Sequence, residues 1–243
     1  MKKLFIITCL VWVVCQQTRA QNSKHRCITS PEYQGIVHHN LSAQNLAKFE
    51  TWMAQKRRAQ VNRRTQEKIY EIPVIFHIVH SGDAKGQGNN IPREQVIGQM
   101  IVLNQDFRRT NPDAADTPEA FQGIAADTKI QFKMAQLDEN GEILEEPGIH
   151  RYEDRSRATW THKDIQEILK PTTIWDPDKY LNVWVVPLSN NNDFGYAQSP
   201  AQSGLAGVVI LPSDKPETDG VYVNVRTFGS NFTSVGSGFL LRF

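Results

Sequence analysis

The fold is decided by residues Ile69–Arg109, IYEIPVIFHIVHSGDAKGQGNNIPREQVIGQMIVLNQDFRR, which join an apolar run, a polar loop and an amphipathic segment. Ile69–Val79 is almost continuously apolar, which is typical of a strand covered on both faces of a parallel sheet. Gly82–Asn90 is rich in glycine and asparagine and predicts a loop. Pro92 favours the first turn of a helix. That helix, Pro92–Arg109, has one apolar stripe for packing on the sheet: Val96, Met100, Leu103 and Phe107.

Shorter patterns downstream predict strands that pair with the first one. The β candidates are Ile130–Met134, Leu181–Leu188, Gly207–Leu211 and Gly220–Val225. The helical candidates are a short turn after Thr117, which is expected to carry Phe121 inward, and a weaker helix at Thr161–Leu169. We therefore predict an α/β subdomain: a twisted, mostly parallel sheet of about five strands, with an antiparallel edge strand and the long helix backing one face.

Charge and composition narrow the class of protein. The chain has 27 basic and 26 acidic residues and a formal net charge of +1, which removes the usual electrostatic argument for a nucleic-acid partner. The apolar set makes up 40% of the chain, enough for one hydrophobic core with accessory segments. We therefore expect a globular protein that does not bind nucleic acid.

Residues 1–20 have the layout of a secretory signal peptide. Lys2 and Lys3 precede the apolar run Leu4–Val14, and the small residue Ala20 stands at the expected cleavage position. A buried N-terminal helix or strand is the alternative reading, but it leaves the cationic start unexplained. Because no later segment approaches transmembrane length, we expect a secreted protein, extracellular or periplasmic, without a membrane span.

The next segment, residues 21–68, reads as a propeptide-like leader. Apolar residues at helical spacing predict a short amphipathic helix within Asn40–Ala54. Six basic residues and one acidic residue lie between Lys56 and Lys68. Two readings of this basic run stay open: a solvated helix face, or a protease-accessible linker between compact units.

Several pieces of the chain, in one order over Ile69–Gly229, match a family pattern. The matching pieces are IPVIFHIVH at Ile72–His80, LNQDFRRTN at Leu103–Asn111, AADTKIQFKMAQLDENG at Ala125–Gly141, GIHR at Gly148–Arg151, WDPDKYLNVWVVPL at Trp175–Leu188, GYAQSP at Gly195–Pro200 and DGVYVNVRTFG at Asp219–Gly229. With these pieces the chain resembles secreted zinc metalloproteases of the pappalysin type, within the metzincin group. The resemblance implies a metzincin-like N-terminal subdomain over residues 69–243, zinc-dependent cleavage of a protein or peptide substrate, and a zymogen.

The zinc-binding motif of such enzymes does not occur in this sequence. The resemblance implies an active-site helix with the pattern HExxHxxGxxH, in which three histidines bind zinc and the glutamate handles the proton of the bound water. None of the seven histidines is followed by Glu and a second His at this spacing, and the chain ends at Phe243, where the helix should begin. We therefore expect an incomplete, truncated or frameshifted form that is inactive alone, with no catalytic residue, no metal ligand and no bound zinc.

Other residues carry narrower expectations. Cys27 is the one cysteine left after signal removal, and the resemblance implies a latency thiol in the leader; an incidental free thiol is the alternative. Gly195, Tyr196 and Ala197 are, by resemblance, the sheet edge that holds an extended peptide by strand addition. His77 is expected to be a packing or hydrogen-bonding residue. The rival function is a non-catalytic exported module that binds peptides at this edge.

Overall fold

The computed structural model describes residues 43–61, 68–198 and 214–229. The predicted signal peptide, Cys27, the predicted strand Gly207–Leu211 and residues 62–67 of the basic run lie outside these ranges. No helix within them is long and apolar enough to cross a membrane.

The helices are α1 Ala43–Val61, α2 Arg93–Phe107, α3 Glu119–Gln122, α4 His162–Asp164 and α5 Lys170–Thr173, with a π-helical turn, Ile165–Leu169, joining the last two. The strands are β1 Tyr70–His80, β2 Ile130–Met134, β3 Ile149–Glu153, β4 Leu181–Val186, β5 Gly195–Ala197 and β6 Val221–Asn224.

The described strands form one six-stranded sheet in the order β2-β1-β4-β6-β5, with β3 paired to β1. One edge of β1 pairs with β4, and the other pairs first with β2 and then, through residues 76–80, with β3. All these pairings are parallel except β5 with β6, which is antiparallel. The α/β class, the parallel sheet and the antiparallel edge are confirmed. The prediction of about five strands was one short, because β3 (IHRYE) is too polar to show a strand pattern.

Both faces of the central strand are covered, as predicted. The even-numbered β1 residues from Val74 to Ile78 pack against the apolar stripe of α2, of which Val96 is fully buried. The opposite face, with Trp184 of β4, packs against Ile165 and Leu169 of the helical segment 162–173. Because successive side chains of a strand point to opposite faces, a strand between two layers must be apolar throughout. The fold therefore has three layers, helix, sheet and helix.

The structure differs from two local predictions, the first residue of α2 and the burial of Phe121. Pro92 is the extended residue before α2 rather than its first helical residue, so the helix begins at Arg93. Phe121 is 56% exposed, so the prediction that it points inward was wrong. Its helix, α3, spans only Glu119–Gln122 and is too short to present an apolar face to the sheet.

Helix α1 is longer than the predicted Asn40–Ala54 and continues into the basic run. Phe49 and Trp52 are half-buried and stack with their ring centroids 6.1 Å apart. Lys56 and the two arginines that follow it are helical and exposed. The described part of the basic run is therefore the exposed surface of a helix.

Candidate functional site

The end of the sheet at β5 is the candidate site, and its backbone orientation follows from the β5–β6 register. Gly195 pairs with Val223, and Tyr196 with Tyr222. The preceding pair of the ladder is Phe194 with Asn224. This pair is hydrogen-bonded, because the N–H of Asn224 donates to the carbonyl of Phe194 at 2.8 Å. Hydrogen-bonded and non-hydrogen-bonded pairs alternate along an antiparallel ladder, so the backbone of Tyr196 faces β6. The backbone N–H and C=O of Gly195 and Ala197 therefore point away from β6.

Glycine at position 195 is required by the close approach of the two strands. A Cβ atom there would lie 2.5 Å from the carbonyl oxygen of Tyr222 and 3.3 Å from the Cα of Val223. Any larger residue would push β5 away from β6, since real Cβ atoms do not approach a carbonyl oxygen so closely. Gly195 thus sets the short spacing at the start of β5.

Tyr196 fixes this edge strand to the layer beneath it. Its side chain is 2% exposed and stacks on Tyr222 with ring centroids 5.8 Å apart. The ring of His162 packs edge-on against Tyr196 at 4.8 Å, and its Nδ1 hydrogen-bonds the Tyr222 hydroxyl at 2.8 Å. His162, whose polar surroundings in the sequence carried no signal, therefore belongs to the support of β5.

A buried lysine lies under the same pair of tyrosines. The Nζ atom of Lys170 donates to the carbonyls of Thr218, at 2.8 Å, and Gly220, at 3.4 Å. It also lies 5.1 Å from a ring centroid of Trp184, 5.7 Å from that of Tyr222 and 5.8 Å from that of Tyr196. This geometry suits a cation held by aromatic faces and carbonyl oxygens. Sequence reasoning missed Lys170, because a lysine in a helical pattern is normally exposed.

Burial and charge act in opposite directions on this lysine. Burial lowers the pKa of Lys170 to about 7, although the carboxylates of Asp219 and Asp214 favour its charged form. Burial also raises the pKa of Asp219, whose carboxylate lies near Lys170. Asp214 accepts a 3.4 Å hydrogen bond from the Tyr196 hydroxyl. The ammonium group of Lys170 therefore lies within electrostatic reach of two carboxyl groups, those of Asp214 and Asp219.

A second buried network lies at the middle of the sheet. Asn182 Oδ1 accepts from the Trp175 N–H at 2.9 Å, and its Nδ2 donates to the Trp175 carbonyl at 2.9 Å, which fixes the amide orientation. His77 Nε2 must therefore donate to Asn182 Oδ1, 2.9 Å away. The other nitrogen, Nδ1, then accepts from His150 Nδ1–H at 2.9 Å. The structure thus assigns both tautomers by its hydrogen bonds.

Burial keeps these imidazoles neutral. It lowers the pKa of His77 to about 3, helped by His150 and opposed by the hydrogen bond to Asn182. Burial also lowers the pKa of His150. His77 stacks on Trp184 with centroids 5.0 Å apart, which agrees with the packing role expected of it. His150, which carried no signal in the sequence, is its hydrogen-bonding partner.

The described residues do not fit a zinc ion. Both ring nitrogens of His77 are engaged in hydrogen bonds, and Nδ1 of His80 accepts from the Gly82 N–H at 3.3 Å. Within the described ranges, no three His, Cys, Asp or Glu side chains converge in a group that could hold a metal. A tetrahedral zinc site needs such convergence. The chemistry that this part of the chain offers is backbone hydrogen bonding at β5.

Comparison with solved structures gives matches to mirolysin and to its precursor, promirolysin. A single-residue mutant of promirolysin from Tannerella forsythia is 30% identical, with a TM-score of 0.61, and the match covers 84% of this chain and 61% of that one. Mature mirolysin from Tannerella forsythia in complex with a cleaved peptide is 34% identical, with a TM-score of 0.54, covering 67% of this chain and 55% of that one. Mirolysin in complex with compound 9 is 32% identical, with a TM-score of 0.52 and the same coverage.

The chain therefore spans between 55% and 61% of the length of these proteins. No protein-family model and no curated protein matches the sequence. Mirolysin and promirolysin are metzincin-type metalloproteases. The mostly parallel α/β architecture of this chain matches these neighbours, so the chain has the fold of a metzincin-type metalloprotease.

Proposed function

We propose that this chain is the peptide-holding sheet of a secreted zinc endopeptidase of the pappalysin type, and that β5 binds an extended polypeptide by strand addition. The observation that carries the proposal is the antiparallel β5–β6 register, which turns the backbone N–H and C=O of Gly195 away from β6 at the end of the described strand order. Strand addition uses outward backbone groups of this kind, and alternate side chains supply specificity. The complex of mature mirolysin with a cleaved peptide supports a peptide as the ligand.

The three predicted edge residues take different parts in this proposal. Gly195 offers its backbone groups to the peptide, and Ala197 ends the strand with its backbone in the same orientation. Tyr196 directs its backbone to β6 and buries its ring, so it supports the edge and does not contact the ligand. The edge is thus a backbone surface with an aromatic anchor below it.

Hydrolysis is not proposed for this chain alone. Cleavage by a zinc endopeptidase needs converging metal ligands and a base near the bound water. The sequence contains no HExxH pattern, and the described residues do not fit the ion. The chain is therefore proposed to bind polypeptide without cutting it, as the non-catalytic peptide-binding module also would. The difference between these two functions lies in whether a zinc-bearing helix acts beside this sheet.

The leader is proposed to be a propeptide. The promirolysin match covers 84% of this chain and the mature mirolysin match covers 67%. This difference is of the size expected if residues 21–68 correspond to a segment that the mature enzyme lacks. We propose Cys27 as a latency thiol by ancestry, with no function in this chain by itself, and residues 1–20 as the export signal.

The peptide edge is tested by a proline at Ala197. Ala197→Pro removes the outward N–H and leaves the hydrogen bonds of Tyr196 to β6 in place. We expect the affinity for fluorescein-labelled casein, measured by fluorescence anisotropy, to fall about tenfold, because one or two hydrogen bonds of about 1 kcal/mol each are lost and the ring obstructs the edge.

Ala197→Ser is the matched control, because it keeps the backbone N–H at the same position. It should bind casein as the wild type does. Equal affinity of the proline variant and the wild type, with unchanged thermal stability, would show that polypeptide does not bind at β5.

A further inference from the structure

We infer that Lys170 is a positioning residue for the peptide edge: its ammonium group, held under the rings of Tyr196 and Tyr222, fixes β5 and β6 in the geometry that accepts a polypeptide strand. This inference rests on the proposed function of β5. The alignment of β5 would then depend on Lys170, a residue of the helical layer that packs against the sheet.

The contacts of Lys170 reach both strands of the edge. Its Nζ–H groups donate to the carbonyls of Thr218 and Gly220, which lie just before the start of β6. Its charge lies 5.8 Å from the ring centroid of Tyr196, the central residue of β5. A helix-borne cation therefore holds the start of one strand and the middle of the other.

The surrounding side chains hold the two tyrosines against this cation. The Tyr196 hydroxyl donates to Asp214, and the Tyr222 hydroxyl bonds to His162. Each ring is thus fixed at its polar end by a hydrogen bond and at its face by the ammonium. An attraction between a cation and an aromatic face depends on the charge, so a neutral amine at the same place would hold the rings less firmly.

The pH dependence of polypeptide affinity separates a purely structural role of Lys170 from a positioning role. In a purely structural role affinity would follow stability, whereas in a positioning role affinity would follow the charge of the ammonium group. The pKa of Lys170 is about 7 in the fold and 10.5 in the unfolded chain, so the unfolded state binds more protons between these values. Stability contributed by this group therefore rises with pH above about 7. The positioning role needs the ammonium, so polypeptide affinity should fall over the same range.

The groups that face the ammonium are Asp214 and Asp219 on the segment before β6, Tyr196 on β5, Tyr222 on β6 and, through Tyr222, His162 on α4. His162 is the one imidazole among them. His162→Gln keeps a hydrogen-bonding group for the tyrosine hydroxyl and has no ionisable side chain. It is therefore the control for the assignment of the pH effect to Lys170.

The experiment measures casein anisotropy with the full chain between pH 6 and pH 8.5, alongside thermal unfolding. For the wild type and for His162→Gln we expect affinity to fall about tenfold across this range while stability does not fall. Lys170→Met should bind casein weakly at every pH. Lys170→Arg keeps a charge that does not titrate, so it should bind casein without the pH dependence.

The inference would be overturned if the affinity of the wild type for casein stayed constant, or rose together with stability, between pH 6 and pH 8.5. It would also be overturned if Lys170→Met folded and bound casein as tightly as the wild type does. If Lys170→Met does not fold, the wild-type pH profile decides the question. Failure of the proposed function has a separate signature, because casein binding would then be unaffected by Ala197→Pro. Loss of binding in that variant, with no effect at Lys170, would contradict the positioning role alone.

Discussion

Replacing Asn182 by leucine is expected to lower the free energy of unfolding by about 4 kcal/mol. The side chain is 1% exposed and makes four hydrogen bonds. Leucine would leave the His77 Nε2–H and the Trp175 N–H buried without acceptors. Each such donor costs about 1–3 kcal/mol. Urea denaturation with linear extrapolation measures the change.

Asn104→Leu is the matched control for this prediction. Asn104 also accepts from one backbone N–H and donates to one carbonyl, both of Phe132, but its side chain is half-buried. Water can replace these bonds, so we expect a loss of only about 1 kcal/mol. A loss at Asn182 no larger than the loss at Asn104 would contradict the assigned hydrogen-bond network.

Acid is expected to destabilise the chain through His77. The pKa of His77 is about 3 in the fold and 6.5 in the unfolded chain, so the unfolded state takes up the proton first as pH falls. The stability is therefore complete above pH 6.5 and is lost progressively down to about pH 3. The limiting slope is about 1.4 kcal/mol per pH unit, which amounts to roughly 2 kcal/mol by pH 5.

His77→Gln separates this effect from other titrations. Glutamine can donate to Asn182 and accept from His150, but it does not titrate. Asp127 and Glu146, whose hydrogen bonds with arginine lower their pKa values to about 2, lose their contribution only below about pH 4.5. Between pH 5 and pH 6.5 the variant should therefore show a flatter stability profile, which keeps a slope of the same sign from His150, because burial also lowers the pKa of that residue. Parallel profiles for variant and wild type in chemical denaturation would contradict a neutral buried His77.

The sequence predicted best where one physical requirement acts on many consecutive residues. A central strand covered on both faces must be apolar throughout, so Ile69–Val79 predicted β1 almost to its ends. The stripe at Val96, Met100 and Leu103 predicted which face of α2 would be buried, because helical spacing places these residues on one side. Such periodic patterns can be recognised in the sequence without any knowledge of tertiary contacts.

Pairwise contacts between distant segments were not predictable in the same way. Lys170 meets carbonyls about fifty residues away, and His77 meets a histidine on a strand too polar to be recognised. The prediction that Phe121 points inward was wrong for a related reason. An apolar side chain is buried only when another layer of the fold covers it. The polypeptide edge itself was proposed from resemblance. Its alternating backbone orientation required the β5–β6 register.

We propose that this chain holds an extended polypeptide at β5 and does not cut it. The most direct measurement is a time course of fluorescein-labelled casein anisotropy with the full chain and added zinc, with and without a zinc chelator. The claim predicts that anisotropy rises on mixing, then stays constant, and is the same with the chelator. A fall of anisotropy below the value of casein alone, prevented by the chelator, would show zinc-dependent cleavage and contradict the claim.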